Sequence, residues 1–243
     1  MYKASLTIGK SFVVALVMGS SVGMAAEGDV PPLPWQVSGN NHLLVGVVWN
    51  EVVLKLIPKG LTPTPERTGG INIYTSPRGY GISPYQSGYG WIDLAGDDAA
   101  DGSKARYIFR AGVGPTEKIS NAVMQAFGPA VRNGGTKLDT AGAVKKGTGM
   151  IGGSIWGVVQ VKTAEDKCQN AAGTLNYQMP SLDGAGLRRM QIPWAGVFCP
   201  AEPVSAEIAF PDAAAAAVKP EKLIWAGELR DMAFSFSTPI AWK

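Results

Sequence analysis

Beyond Leu61 the apolar residues of this chain fall into short runs of period two, and glycine, proline or aspartate separates one run from the next. Ile71 and Ile73 alternate with Asn72 and Tyr74, and Tyr89, Trp91 and Asp93 alternate with Ile92 and Leu94. Period two sends successive side chains to opposite faces of an extended backbone, so the pattern predicts β-strands. Further strands are expected at 106–109, 154–161, 191–198, 204–210, 223–229 and 233–237. The 31 glycines and 17 prolines among 243 residues supply the turns between them. Many short strands and few helices predict a β-rich α+β fold, a closed barrel or stacked antiparallel sheets.

The stretch before Leu61 reads differently. Residues 27–42, with Pro31, Pro32 and Pro34, form an extended leader, and the run Leu43-Leu-Val-Gly-Val-Val48 predicts a strand buried on both faces. Val52, Val53, Leu56 and Ile57 follow at helical spacing, with Asn50 as N-cap and Pro58 as the stop. Two more helices are expected: 116–127, between Gly114-Pro115 and Gly128-Pro129, and a short one over the alanines 213–217, capped by Asp212. No linker is long enough to divide the chain, so residues 43–243 make one domain.

Lys3 and Lys10 precede an apolar run from Phe12 to Met18 and then small residues up to Ala25 and Ala26. A positive head, a short apolar stretch and a small-residue exit define residues 1–26 as a secretory signal peptide. The run falls short of the roughly 20 residues that a spanning helix needs, so no stable membrane insertion is expected after cleavage. Cleavage removes two lysines and no acids, taking the formal charge from +3 to +1. Without a basic patch, nucleic acid is not an expected partner. A secreted or periplasmic address also changes the meaning of Cys168 and Cys199. In an oxidising compartment they are expected to form a structural disulfide.

Reactive groups are scarce. One histidine and two cysteines cannot assemble a tetrahedral metal centre, so no metal is expected. His42, beside Asn40-Asn41, reads as a surface or strand-entry residue, and no Gly-x-Ser-x-Gly elbow accompanies it. Asp93, Glu202, Glu207 and Glu228 are strand-borne carboxylates that read as solvated or paired. Lys145 and Lys146, in Ala-Val-Lys-Lys-Gly-Thr-Gly, read as a solvated turn, Lys137 as turn-adjacent, and Lys55 as the polar face of the first helix. Gly149–Gly153 lacks the spacing and the following helix of a dinucleotide site and reads as a hairpin or bulge.

Several segments nevertheless fall in a familiar order. Leu-Ile-Pro58-Lys-Gly-Leu61, Gly81-Ile-Ser-Pro-Tyr85-Gln-Ser87, Phe127-Gly-Pro-Ala-Val-Arg132 and Pro220-Glu-Lys-Leu-Ile-Trp-Ala-Gly227 together resemble the acetoacetate decarboxylases. The similarity runs from about Leu43 to Phe236. It implies a β-rich fold around a mostly apolar internal cavity. In the active enzymes a lysine in that cavity forms a Schiff base with a β-keto acid, assisted by acidic side chains.

This chain departs at those positions. Pro129-Ala-Val-Arg132 holds no lysine where the family has a pair, and arginine cannot form the imine. One family acid falls at Asn72 and the other at Gln86 or Ser87. The expectation is therefore a protein that binds or processes a small carbonyl-bearing or apolar compound without Schiff-base chemistry and without a cofactor. Its site would comprise Arg132 holding an oxygen, Asn72 and Gln86 as neutral hydrogen-bond partners, and Tyr85 as a wall. Two alternatives stand beside it. One is an active β-keto acid decarboxylase, a lyase using another lysine. The other is a secreted carbohydrate-binding or structural module presenting Tyr85, Tyr89 and Trp91 on an open face. A homo-oligomer is compatible with either.

Overall fold

A computed structural model describes residues 30–82, 84–184 and 186–242. The expected signal peptide, residues 1–26, and the first residues of the expected leader lie outside the described residues. Twelve strands make one sheet: β1 (Trp35–Trp49), β2 (Thr68–Ser76), β3 (Arg78–Tyr80), β4 (Tyr85–Asp93), β5 (Ala105–Gly114), β6 (Val131–Asp139), β7 (Val144–Ile151), β8 (Ser154–Thr163), β9 (Gln169–Pro180), β10 (Leu187–Ile208), β11 (Pro220–Phe236) and β12 (Ile240–Ala241). Neighbours follow the order β11-β1-β2-β4-β5-β6-β7-β8-β10, and β10 pairs again with β11, so the path closes on itself. This is the β-rich architecture expected from the alternation.

Five strands, β11-β1-β2-β4-β5, form a layer with an apolar core on each face. On β1, Trp35, Val37 and Leu44 enter the first core while Leu43, Val45, Val47 and Trp49 enter the second. That double burial explains the unbroken apolar run Leu43–Val48. Strand β8, with Trp156, Val159 and Val161, belongs to the second core. The first core takes residues of α1 (Glu117–Phe127), β9 and the first half of β10.

Helix α1 is where local chemistry and topology agree. β5 and β6 run parallel, and a parallel pair needs a crossover, which α1 provides. Thr116 caps it by accepting a hydrogen bond from the Ile119 amide, and Ser120, Val123, Ala126 and Phe127 form its buried face. Glycine allows a close backbone approach near this crossover. A Cβ on Gly112 or Gly134 would stand 2.0 Å from the Met150 carbonyl oxygen.

Three local expectations give way to tertiary contacts. Residues Glu51–Leu56 form a 3-10 helix, and Asn50 does not cap it with its side chain. Asn50 Nδ2 donates instead to the Ala217 carbonyl at 2.8 Å, and its Oδ1 accepts from the Lys219 amide at 3.3 Å. Alanines 213–217 make turns, not a helix. Asp212 Oδ1 does accept the Ala215 amide at 3.1 Å, as expected of a cap, while Arg110 pairs with the same carboxylate at 2.5 and 2.6 Å, but five residues repay little of the cost of helix nucleation. The strand predicted from Leu43 starts at Trp35, inside the expected leader. Likewise 191–198 and 204–210 fuse into β10, and 223–229 and 233–237 into β11. Register shifts at Ala195/Val197 and Pro203/Ser205 let β10 bend past the prolines that had marked breaks.

Cys168 and Cys199 are bridged, 31 residues apart. Closing a loop of that length removes unfolded-state entropy equivalent to about 3–4 kcal/mol. Reducing the bridge, or replacing both cysteines by serine, is expected to lower the melting temperature by about 6–15 °C for a domain of this size. Equal melting curves with and without reductant would refute that contribution.

Candidate functional site

The first core encloses a cavity between the β1-β2-β4-β5 layer, α1 and β9. His42, Tyr74, Ser87, Tyr89 and Tyr177 contribute its polar lining, and Ile108, Val123, Phe127, Val131, Phe234 and Phe236 much of the rest. About 30 Å³ is free, room for one or two waters with the walls as they stand.

Sheet register assembles the polar wall. His42 lies opposite Tyr74, Leu44 opposite Asn72, and Asn72 opposite Tyr89, so residues two apart on one strand share the cavity face. His42 stacks on Tyr74 with ring centroids 4.4 Å apart and 4° between planes. Its Nδ1 lies 3.2 Å from Asn72 Oδ1 and 3.1 Å from Asn72 Nδ2. Asn72 Nδ2 donates to the Tyr89 hydroxyl at 2.9 Å, which shares a 2.7 Å hydrogen bond with the Tyr177 hydroxyl. A second hydroxyl pair, Tyr74 and Tyr85, is also 2.7 Å apart.

Burial makes this wall electrically neutral. Desolvation drives the His42 pKa down to about 3, against a smaller upward pull from its Asn72 hydrogen bond. The same desolvation raises the phenols of Tyr74, Tyr85 and Tyr177 well above their ordinary value. At neutral pH the imidazole and these phenols are uncharged. His42 Nε2 is buried and has no hydrogen-bond partner.

Of the residues picked out from sequence, Asn72 and Tyr85 are buried behind the cavity wall, Asn72 bonded to His42 and Tyr85 to Tyr74, and Tyr85 also borders a separate groove. Gln86 is half-buried, reached by Thr136 Oγ1 at 3.4 Å, and lines a separate groove with Pro84 and Pro115. Arg132 is exposed, its guanidinium turned to the carbonyls of Pro129 and Val131. The structure thus does not bring Gln86 and Arg132 to the Asn72 network. Tyr89 and Trp91 are buried with Tyr85, so the three form no open aromatic face.

Two sequence expectations are overturned. His42 is 2% exposed, not a surface residue. Its polar neighbours Asn40-Asn41 masked a period-two series, His42, Leu44 and Gly46, that continues the strand. Lys145 is no solvated turn residue either. Strand β7 includes it, and its side chain is 7% exposed. Its Nζ lies 3.1 Å from Glu165 Oε1 and 3.6 Å from Glu228 Oε2. Glu228, itself buried, also accepts from Arg230 at 2.7 Å and from Thr163 Oγ1 at 2.9 Å. This cluster borders the second core. Among the described residues lining the cavity there is no lysine, and Val131 stands in the segment where the resemblance would place one. Tyr177 had no sequence signal, because the polar start of β9, Gln169-Asn-Ala-Ala-Gly-Thr174, shows no apolar alternation.

No protein-family model matches the sequence, and no curated protein matches it. Solved structures do match. Acetoacetate decarboxylase from Legionella pneumophila superposes with a TM-score of 0.69 at 10% identity, covering 96% of this chain and 98% of that one. The enduracididine biosynthesis enzyme MppR, complexed with pyruvate, gives 0.65 at 11% identity over 91% of this chain and 94% of that one. An acetoacetate decarboxylase-like enzyme from Sphingomonas wittichii gives 0.59 at 13% identity over 88% and 94%. The chain has the acetoacetate decarboxylase-like fold.

Proposed function

We propose that this protein is an exported small-molecule binder that holds a carbonyl-bearing or apolar compound in the first-core cavity without Schiff-base chemistry. The observation that carries this reading is the lining itself. His42, tyrosines and aliphatic residues surround the space, Val131 lies in the segment that resembles the family's lysine pair, and no lysine is among them. Lys145, the buried lysine among the described residues, is engaged by two carboxylates elsewhere. Asn72 orients His42, and Tyr85 supports the wall through Tyr74. The pyruvate complex of MppR is consistent with small guests in this fold. The apolar run from Phe12 to Met18 behind Lys3 and Lys10, and the disulfide, support export.

Borohydride trapping with acetoacetate and with pyruvate tests the absence of imine chemistry. The expected mass spectrum shows unmodified protein. A stoichiometric adduct mapped to one lysine would establish the decarboxylase alternative instead. Binding itself is expected to weaken in Asn72→Ala and to be unchanged in Arg132→Ala, measured by titration calorimetry.

A further inference from the structure

We infer that the cavity selects an uncharged ketone or aldehyde, whose oxygen accepts a hydrogen bond from His42 Nε2, and excludes carboxylates. This rests on the cavity being the binding site and adds the charge class and the anchoring atom.

The first support is an incomplete hydrogen-bond inventory. His42 is 2% exposed and lines the cavity, yet its Nε2 has no partner. A buried polar atom left unsatisfied costs free energy that a guest with a complementary group recovers. The second support is Asn72, which decides what that group must be. Its Nδ2 lies 2.9 Å from the Tyr89 hydroxyl and 3.1 Å from His42 Nδ1. Donating one proton to each uses both amide protons and makes Nδ1 an acceptor. The imidazole proton then sits on Nε2, which becomes a donor. The opposite arrangement, Nδ1–H to Asn72 Oδ1, strands an amide proton, and buried orphan donors are rarer than under-used carbonyls. An acceptor on the guest is what the site lacks.

The third support is charge. No Lys, Arg, Asp or Glu is among the lining residues, so a carboxylate would enter without a counter-ion. Size adds a limit. With about 30 Å³ free, a short-chain carbonyl compound fits only if a wall residue yields. Phe127 of α1 is suited to this, because the carbonyls of Gln125 and Ala126 in its last turn are held by Arg188 at 3.3 and 3.4 Å, long bonds that give easily.

A single histidine in 243 residues makes the test direct, because its imidazole nitrogen-15 signals need no assignment. The untagged protein, as wild type and as His42→Phe, would be titrated at neutral pH with acetone, 2-butanone, acetoacetate and pyruvate. The wild-type spectrum is expected to show Nε2 protonated and Nδ1 as acceptor. The two neutral ketones should shift Nε2 and bind at least about tenfold more tightly than the two carboxylates. His42→Phe should remove that preference. If this variant does not fold, the wild-type tautomer and the ligand ranking decide alone. Carboxylates that shift His42 as strongly as ketones would overturn the charge selection and leave the site standing. Ketones that bind without moving His42 would place the site elsewhere and overturn both readings. Protonation on Nδ1, or no response to any ligand, would also overturn the inference.

Discussion

Acidifying this protein from pH 6.5 to pH 4.5 is expected to remove about 2–3 kcal/mol of stability through His42 alone. The folded pKa is about 3 and the unfolded value 6.5. Between those limits the unfolded chain binds a proton that the folded chain refuses, so stability falls as pH falls. The contribution is fully present above pH 6.5 and is lost toward pH 3, at about 1.4 kcal/mol per pH unit. The groups around the ring do not offset this: Tyr74 stacks on it, Asn72 bonds to it and Phe234 meets it edge-on, all uncharged. Carboxylates held low by partners, such as Asp212 beside Arg110, begin to matter only below their ordinary values near 4. A melting temperature about 5–10 °C lower at pH 4.5 than at pH 6.5 is therefore expected. His42→Gln should flatten the profile in that interval while lowering stability at neutral pH. Parallel pH profiles for the two proteins would show that His42 is not the titrating group.

Glu228→Ala is expected to destabilise the fold by about 3–5 kcal/mol, because it leaves buried charge without its partner. Glu228 is 3% exposed and is contacted by Lys145, Arg230 and Thr163. Without it, the one carboxylate left to Lys145 among the described residues is Glu165, whose side chain is 54% exposed, beside the neutral Thr140 carbonyl at 3.2 Å. Lys145→Met should cost less, since Glu228 retains Arg230 and Thr163. The double variant Lys145→Met with Glu228→Ala should lose clearly less than the two single changes added together, because removing both charges also removes their desolvation cost. Urea denaturation of the four proteins measures the coupling. Strict additivity would mean that Lys145 and Glu228 do not act as a pair.

Strand content was readable from alternation because half-buried strands must alternate, and the run Leu43–Val48 announced a layer covered on both faces. Strand ends were less readable. A proline or a polar step looks like a terminus locally, yet β10 carries Pro193, Pro200 and Pro203 across its register shifts and goes on pairing. Helix 50–57 and the alanine turn failed for a related reason. Each is short, so one tertiary hydrogen bond, such as Asn50 to Ala217, outweighs its intrinsic preference. In the site, Asn72 and Tyr85 were reached through the family resemblance, whereas His42 and Tyr177 were not. Whether a histidine is a surface group or a neutral core donor depends on the strands that cover it, and β9 had no legible pattern.

By itself the sequence determined the inventory: strands in place of helices, one histidine, two cysteines able to bridge, and no lysine at the turn after α1. Those are properties of composition and local period, which need no partner. The tertiary structure alone decided which groups are dry. Burial by strands distant in sequence turned His42 into an uncharged hydrogen-bonding group and Lys145 into a paired internal charge. The chemistry of a scarce residue is set by the water it loses, and no local stretch of chain records that loss.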